Sequence, residues 1–121
     1  MTDLELLEAA AEAAIVAGMP IIQTEAGPQI ISWHDGKHEC YDLWNPLTDD
    51  GDALRLAVMC SIEVDSVTSA CATTARALTN EEDRSEVFVY QPHGTDPYAA
   101  TRRAIVRAAA ALAGATGAGG E

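Results

Sequence analysis

The sequence predicts an α+β fold, a three-layer α/β/α sandwich in which a mainly antiparallel sheet is flanked by helices on both faces. Three stretches, at about residues 3–17, 48–59 and 97–113, carry apolar residues at helical spacing behind a capping residue. Shorter extended patterns lie between these helices. One of them, residues 87–90, is apolar at every position, which is typical of an internal strand covered on each face. We expect helices on both sides of the sheet to supply that cover.

The length and composition suit one domain. A chain of 121 residues, of which 48% are hydrophobic, is expected to bury roughly two-thirds of the surface that its unfolded form exposes. We place this α/β/α domain at residues 1–113. Residues 114–121 are rich in glycine and alanine and contain no large apolar side chain, so a flexible tail is predicted there.

Capping and turn residues define the first elements. Thr2 and Glu5 have the spacing of a capping box, and Gly18 is a stop signal for the first helix. Residues 21–28 lead into a Gly-Pro break. A β-hairpin is then predicted over residues 29–42, because an Asp-Gly pair at residues 35–36 separates two extended runs.

The central helix follows an aromatic anchor, Trp44, and an Asn-Pro turn. Asp49 is the predicted N-cap, with Thr48 beside it as a further acceptor for the first backbone N–H groups. Asp52 stands at the third helical position, from which it can reach back as an acidic variant of the capping box. The inward-facing residues of this helix are predicted to be Ala53, Leu54, Ala57 and Val58.

The second half of the chain is predicted to hold two strands, a loop, a third strand and a helix. Residues 62–65 alternate between apolar and acidic, as in a strand with one wet face, and residues 67–74 can return as its partner. Residues 75–85 are predicted to form an exposed acidic loop. The last helix begins with Asp96 as N-cap and Pro97 at the first helical position. Its inward stripe is predicted to consist of Tyr98, Arg102, Ile105, Ala109 and Leu112.

Charge and cysteine content restrict the partners and the compartment. With 19 acidic and 7 basic side chains the net charge is −12, so direct binding to nucleic acid or an anionic membrane is disfavoured, while basic partners stay open. Cys40, Cys60 and Cys71 lack CxxC spacing and suit free thiols in a reducing compartment. No signal peptide and no apolar run of about 18 residues is visible, so the cytoplasm is the expected location.

Two blocks of the sequence resemble a known family. They are WNPLTDDGDALRLAV at residues 44–58 and DPYAATRRAIVRAAA at residues 96–110. Both are similar to the phage ABA-sandwich domain family, small proteins encoded by tailed bacteriophages and prophages. The resemblance implies a phage origin and a sandwich architecture, and with that origin the expected cytoplasm is that of the bacterial host. It implies no reaction and no catalytic residue.

The last helix carries the concentrated basic patch of this acidic sequence. Arg103 and Arg107 stand four residues apart, with Arg102 adjacent. One interpretation is that these arginines pair with acidic residues of neighbouring elements and favour the negative end of the helix dipole. The other is a site for a small anion or phosphate, with Tyr98 as its aromatic residue.

Other candidate sites have simpler explanations in folding. The aspartates at 49, 50 and 52 can hold a hard cation in principle, but they lack the spacing of a calcium loop and suit helix capping. No metal, cofactor or catalytic residue is predicted. Four residues are candidates for a zinc site or a nucleophile–base pair, but their spacing fits neither. They are His34, His38, Cys40 and Cys60. The aromatic residues assigned to core packing are Trp33, Tyr41, Trp44 and Tyr90.

These observations favour a non-catalytic, phage-encoded accessory protein that binds a host or phage protein, with a homodimer as one form of association. A second hypothesis, based on the charge, is an acidic decoy that mimics nucleic acid and occupies a host DNA-binding protein. A third is a binder or sponge for a small anionic, nucleotide-like ligand held by the arginines of the last helix. An enzyme is the least favoured class, because no nucleophile, base and orienting group occur together.

Overall fold

The computed structural model describes residues 1–34, 36, 39–80, 82 and 84–119. Within that part of the chain, three helices and two three-stranded antiparallel sheets form an α+β fold, which confirms the predicted class. The helices are α1 (Asp3–Val16), α2 (Asp50–Met59) and α3 (Pro97–Gly119). The first sheet contains β1 (Ile21–Thr24), β2 (Gly27–His34) and β3 (Glu39–Leu43), and the second contains β4 (Glu63–Val67), β5 (Ala72–Asn80) and β6 (Ser85–Pro92).

Helices α1 and α3 connect the two sheets. Helix α1 packs on β1 and β2, α3 packs on all three strands of the second sheet, and the two helices pack on each other. Helix α2 packs on α3. The buried core includes Trp44, Leu56 and Val106 as its largest fully buried side chains. The chain therefore has two sheets joined by helices where a single sheet was predicted.

The first helix begins as predicted. Thr2 Oγ1 accepts a hydrogen bond from Glu5 N at 3.1 Å, and Glu5 Oε1 accepts one from Thr2 N at 2.9 Å. These bonds with Thr2 lower the pKa of the Glu5 carboxyl, because they stabilise its charged form. The capping box is therefore complete.

The first sheet contains one strand more than the sequence analysis assigned to this region. Ile21 and Ile22 begin β1, which turns tightly into β2 at Gly27, a residue with a φ of +114° that favours glycine. Thr24 Oγ1 donates to Gly27 O at 2.7 Å and closes the turn. The predicted hairpin is confirmed by the pairing of β2 with β3, while its Asp35 lies outside the described residues.

Two aspartates form hydrogen bonds at the N-terminus of α2. Asp49 is the N-cap, as predicted, and its side chain accepts from Asp52 N at 2.8 Å. The carboxylate of Asp52 bonds differently from the prediction: it does not complete a capping box with Asp49, but accepts from Asn45 N at 3.0 Å and from Arg55 Nη2 at 2.8 Å. It therefore fixes the turn before the helix, where Thr48 Oγ1 also donates to Asn45 O at 3.4 Å.

The inward face of α2 is shifted by part of a turn from the predicted one. Ala53 and Ala57 are buried as predicted, but the third member is Leu56, which is fully buried. Leu54 and Val58 were wrongly assigned to the core, since 65% and 68% of their surfaces are exposed. Residues 53, 56 and 57 form a spacing of three and four, which is equally helical, and the sequence alone does not choose between the two stripes.

The region assigned to an acidic loop is mostly strand. A short 3₁₀ helix at Thr68–Ala70 precedes β5, so the return strand lies later than residues 67–74 and occupies most of residues 75–85. Ala75 and Ala77 point into the core and are almost completely buried. Their methyl groups suffice because α3 packs on this strand. Val64 of β4 is 38% exposed, so the wet-faced strand buries less than predicted.

Strand β6 is an edge strand, which overturns its prediction as an internal one. It pairs with β5 alone in the described sheet. Val89 faces the core, whereas Phe88 and Tyr90 are 60% and 56% exposed. The strand is apolar on both faces although only the face with Val89 is covered by other parts of the described chain.

The last helix begins as predicted and ends later. Asp96 Oδ1 accepts from the backbone N of Tyr98 and Ala99 at 3.0 and 3.1 Å, with Pro97 as the first helical residue. Ile105 and Ala109 are buried, but Tyr98 is 72% exposed and not part of the inward stripe. The helix continues to Gly119, into the segment predicted as a tail. Alanine is the strongest helix former, and it offsets interior glycines that cost about 1 kcal/mol each.

Within the described residues, no helix is both long enough and apolar enough to cross a membrane.

Candidate functional site

The second sheet has an open surface, which we call the outer face. It is the side of the sheet opposite Ala75, Ala77 and Val89. Residues that stand directly opposite each other in antiparallel strands share a face. The strand register therefore places on the outer face Glu63, Asp65, Thr74, Arg76, Leu78, Glu86, Phe88 and Tyr90.

Two rows of three residues cross the outer face. In the first row, Arg76 lies between Glu63 and Phe88. In the second row, Thr74 lies between Asp65 and Tyr90. Each row thus runs from a carboxylate on β4 to an aromatic ring on β6. The two rows differ in their middle residue, which is a cation in one and a short hydroxyl side chain in the other.

The electrostatics of the outer face are dominated by carboxylates. Arg76 Nη2 lies 3.2 Å from Glu63 Oε1. Glu63 above all, and then Glu86 and Asp65, raise the pKa of the Arg76 guanidinium. One guanidinium therefore stands among three carboxylates. Of the ion pairs formed by the described residues, none includes Asp65.

An open cleft of about 530 Å³ lies at one end of this face. Two guanidinium groups, of Arg76 and Arg84, and two carboxylates, of Glu63 and Glu86, line it together with the Cys60 thiol. Burial raises the pKa of Cys60, which favours the neutral thiol. Since the thiolate is the nucleophile, this environment opposes a reactive cysteine.

A cluster of hydroxyl groups around an imidazole lies on the inner side of the second sheet. Thr73 Oγ1 lies 2.8 Å from His93 Nε2 and 2.8 Å from Thr101 Oγ1. Ser66 Oγ accepts from Thr73 Oγ1 at 3.2 Å and lies 3.3 Å from His93 Nε2. Thr73 is fully buried and His93 is nearly so. The cluster joins β4, β5 and the end of β6 to α3.

This cluster is a buried hydrogen-bond network that links the sheet to α3. Ser66 and His93 have the contact of a nucleophile with its base, but the hydrogen bonds of the described residues place no carboxylate on the His93 ring. The hydroxyl groups instead satisfy one another. Sequence reasoning missed the cluster because its members are up to 35 residues apart. The serine and threonine content of residues 66–74 indicated only an extended strand.

The three arginines proposed as an anion site reach different elements. Arg102 Nε donates to Leu47 O at 2.9 Å and Nη1 to Asp50 at 2.6 Å, before and at the start of α2. Arg103 Nη1 donates to Asp3 at 3.1 Å on α1. Arg107 Nη1 donates to Tyr90 O at 3.1 Å and to Gln91 Oε1 at 2.8 Å.

This arrangement agrees with the first interpretation of the basic patch, pairing with neighbouring elements. Each of the three guanidinium groups bonds to a different element, and the cleft described above is lined by other arginines. Tyr98 is exposed at the start of α3. The role of Tyr98 and of the three arginines in ligand binding stays a prediction.

The remaining candidate residues are a buried tryptophan, three cysteines and a histidine. Trp44 is buried to 1% exposure, and its Nε1 has no hydrogen-bond partner among the described residues. Cys40 and Cys71 are exposed cysteines outside any disulfide of the described residues, and Cys60 is half-buried. His38 lies outside the described residues. In the described part of the chain, no three His, Cys, Asp or Glu side chains are grouped to hold a metal ion.

No protein-family model, curated protein or solved structure matches this chain. The resemblance to the phage ABA-sandwich domain family therefore stays a proposal.

Proposed function

We propose that this chain is a phage-encoded accessory protein that acts as a non-catalytic interaction module, and that the outer face is its docking surface for a protein partner. The observation that carries the proposal is the exposure of Phe88 and Tyr90 side by side on an open sheet. Aromatic side chains are enriched in protein interfaces and in their energetic hot spots. The inner face of the same sheet is already used for folding.

The two blocks that resemble phage proteins support the origin in this proposal. Residues 44–58 and 96–110 supply the two helix caps, Asp49 and Asp96, and much of the core. They account for folding, whereas the outer face lies between them in the sequence. In this proposal the partner covers the outer face and completes the three-layer sandwich, in the cytoplasm of the bacterial host.

The alternative functions have less support from the geometry. A nucleic-acid decoy needs carboxylates spaced along one face, but they lie on α1, α2 and both sheets. A sponge for a nucleotide-like anion needs converging arginines, and those of α3 each have a partner.

The proposal is tested by comparing two double variants. F88T/Y90T removes both rings and keeps residues that suit strands, while L54Q/V58Q removes an equally exposed apolar pair from α2 and keeps helix formers. Tagged chains are purified gently from bacterial host cells, and the bound proteins are weighed by native mass spectrometry. We expect a stoichiometric partner to be lost with F88T/Y90T and retained with L54Q/V58Q. Equal retention in both variants contradicts docking on the outer face.

A further inference from the structure

We infer that the segment docking on the outer face is basic, and that it places an arginine or lysine across the second row, with its stem on Tyr90 and its charge at Asp65. This inference rests on the proposed function and names the chemistry of its partner. The difference between the two rows carries it.

The first row shows the complete arrangement within the chain itself. Arg76 stands between Glu63 and Phe88, pairs with the glutamate at 3.2 Å, and is the cross-strand neighbour of the ring. A long cationic side chain can pack its stem against an apolar surface while its charge meets a carboxylate. The first row therefore needs no cation from outside.

The second row has the same two ends without the cation. Asp65 and Tyr90 stand on the outer strands with Thr74 between them. Neighbouring strands lie about 4.8 Å apart, so the carboxylate and the ring flank a gap about 10 Å wide over a short side chain. An arginine side chain laid across Thr74 spans this gap. Its guanidinium would gain an ion pair with Asp65 while its aliphatic stem packs on the ring of Tyr90.

Charge excludes the other occupants that an open sheet face attracts. A second copy would bring another −12 charge and would set its own Asp65 against that of the first copy. Nucleic acid would bring phosphates to a face with three carboxylates. A basic protein segment is attracted by the whole chain and is the occupant that completes the second row.

Four single variants test this assignment, and each raises the net charge of the protein by one unit. D65N and T74R alter the second row, the latter by supplying its cation from within the chain. E12Q and T95R make the same change of charge at exposed positions outside the outer face. The ligands are a short peptide of alternating arginine and threonine and its counterpart with citrulline, which keeps the shape of arginine without the charge. Binding is measured by calorimetry, and the contact site by NMR shifts of the backbone amides.

We expect the arginine peptide to bind at least about fivefold more tightly than the citrulline peptide, with shifts at residues 65, 74 and 90. D65N and T74R should each weaken its binding by about fivefold or more, and E12Q and T95R by less than about twofold. Equal weakening by all four variants overturns the inference, because net charge alone would explain binding.

Failure of the inference and failure of the proposed function give different results. If the citrulline peptide shifts the outer face as strongly as the arginine peptide, the partner is not recognised by charge and the docking surface stands. If neither peptide shifts the outer face and F88T/Y90T retains its cellular partner, both proposals are wrong.

Discussion

The two faces of the second sheet carry side chains of different size, and the small side chains are buried while the large ones are exposed. The inner face presents Ala75, Ala77 and Val89 to α3, and these small side chains are almost completely buried. The outer face presents Phe88 and Tyr90, and more than half of each ring is exposed. Close approach of the alanine-rich α3 leaves room only for small residues inside. Large side chains on this sheet therefore mark the surface available to a partner, not the core.

Enlarging the inner face should give the largest effect on stability. A75L forces a large side chain between β5 and α3, and we expect it to lower the free energy of unfolding by about 2–3 kcal/mol. Denaturant titration measures the loss. The opposite change L78A on the outer face should alter stability by about 1 kcal/mol or less, because Leu78 is 42% exposed. Similar losses for both variants would show that the two faces do not differ in packing.

Removing one hydroxyl group should cost stability on the inner face of β5 and not at the neighbouring position on its outer face. T73V keeps the shape of the side chain but leaves His93 and Thr101 without their shared partner, so we expect a loss of about 1–2 kcal/mol. T74V makes the same chemical change on the outer face, where no described hydrogen bond of the side chain is lost. Thermal unfolding of the two variants checks this prediction, and equal midpoints would contradict a stabilising role for the cluster.

Replacing both exposed rings should have little effect on stability. F88T/Y90T keeps residues that suit a strand and removes side chains that bury little, so we expect the free energy of unfolding to change by less than about 1 kcal/mol. Circular dichroism during denaturant titration gives the value. A larger loss would mean that these rings serve folding, and it would weaken their assignment to docking.

Local signals were predicted well from the sequence because their partners are close in the chain. Thr2, Asp49 and Asp96 all cap helices as expected, since each bonds backbone groups two to three residues away. The class of fold follows from the same signals. The inward stripe of α2 was predicted wrongly in part, because Leu54 and Leu56 both fit a helical period.

The features that escaped prediction depend on distant contacts. The part of strand β5 beyond Thr74 was missed because alanine, threonine and arginine indicate an exposed segment unless a helix covers the alanines closely. The edge position of β6 was missed because an apolar run does not reveal how many strands lie beside it. The cluster around His93 and the partners of Arg102 and Arg103 join residues far apart in the chain. Sequence spacing carries no information about such pairs.

The position of α3 at the end of the described chain determines when the protein can fold. This helix packs on α1, α2 and the whole second sheet, and Arg103 bonds to Asp3 across 100 residues. During synthesis the earlier elements emerge from the ribosome before the surface that covers their alanines exists. Contacts over such sequence distances slow folding, because the intervening chain must first be ordered. The core is therefore assembled only after α3 has been made, and until then the inner faces of α1 and β5 are available to chaperones.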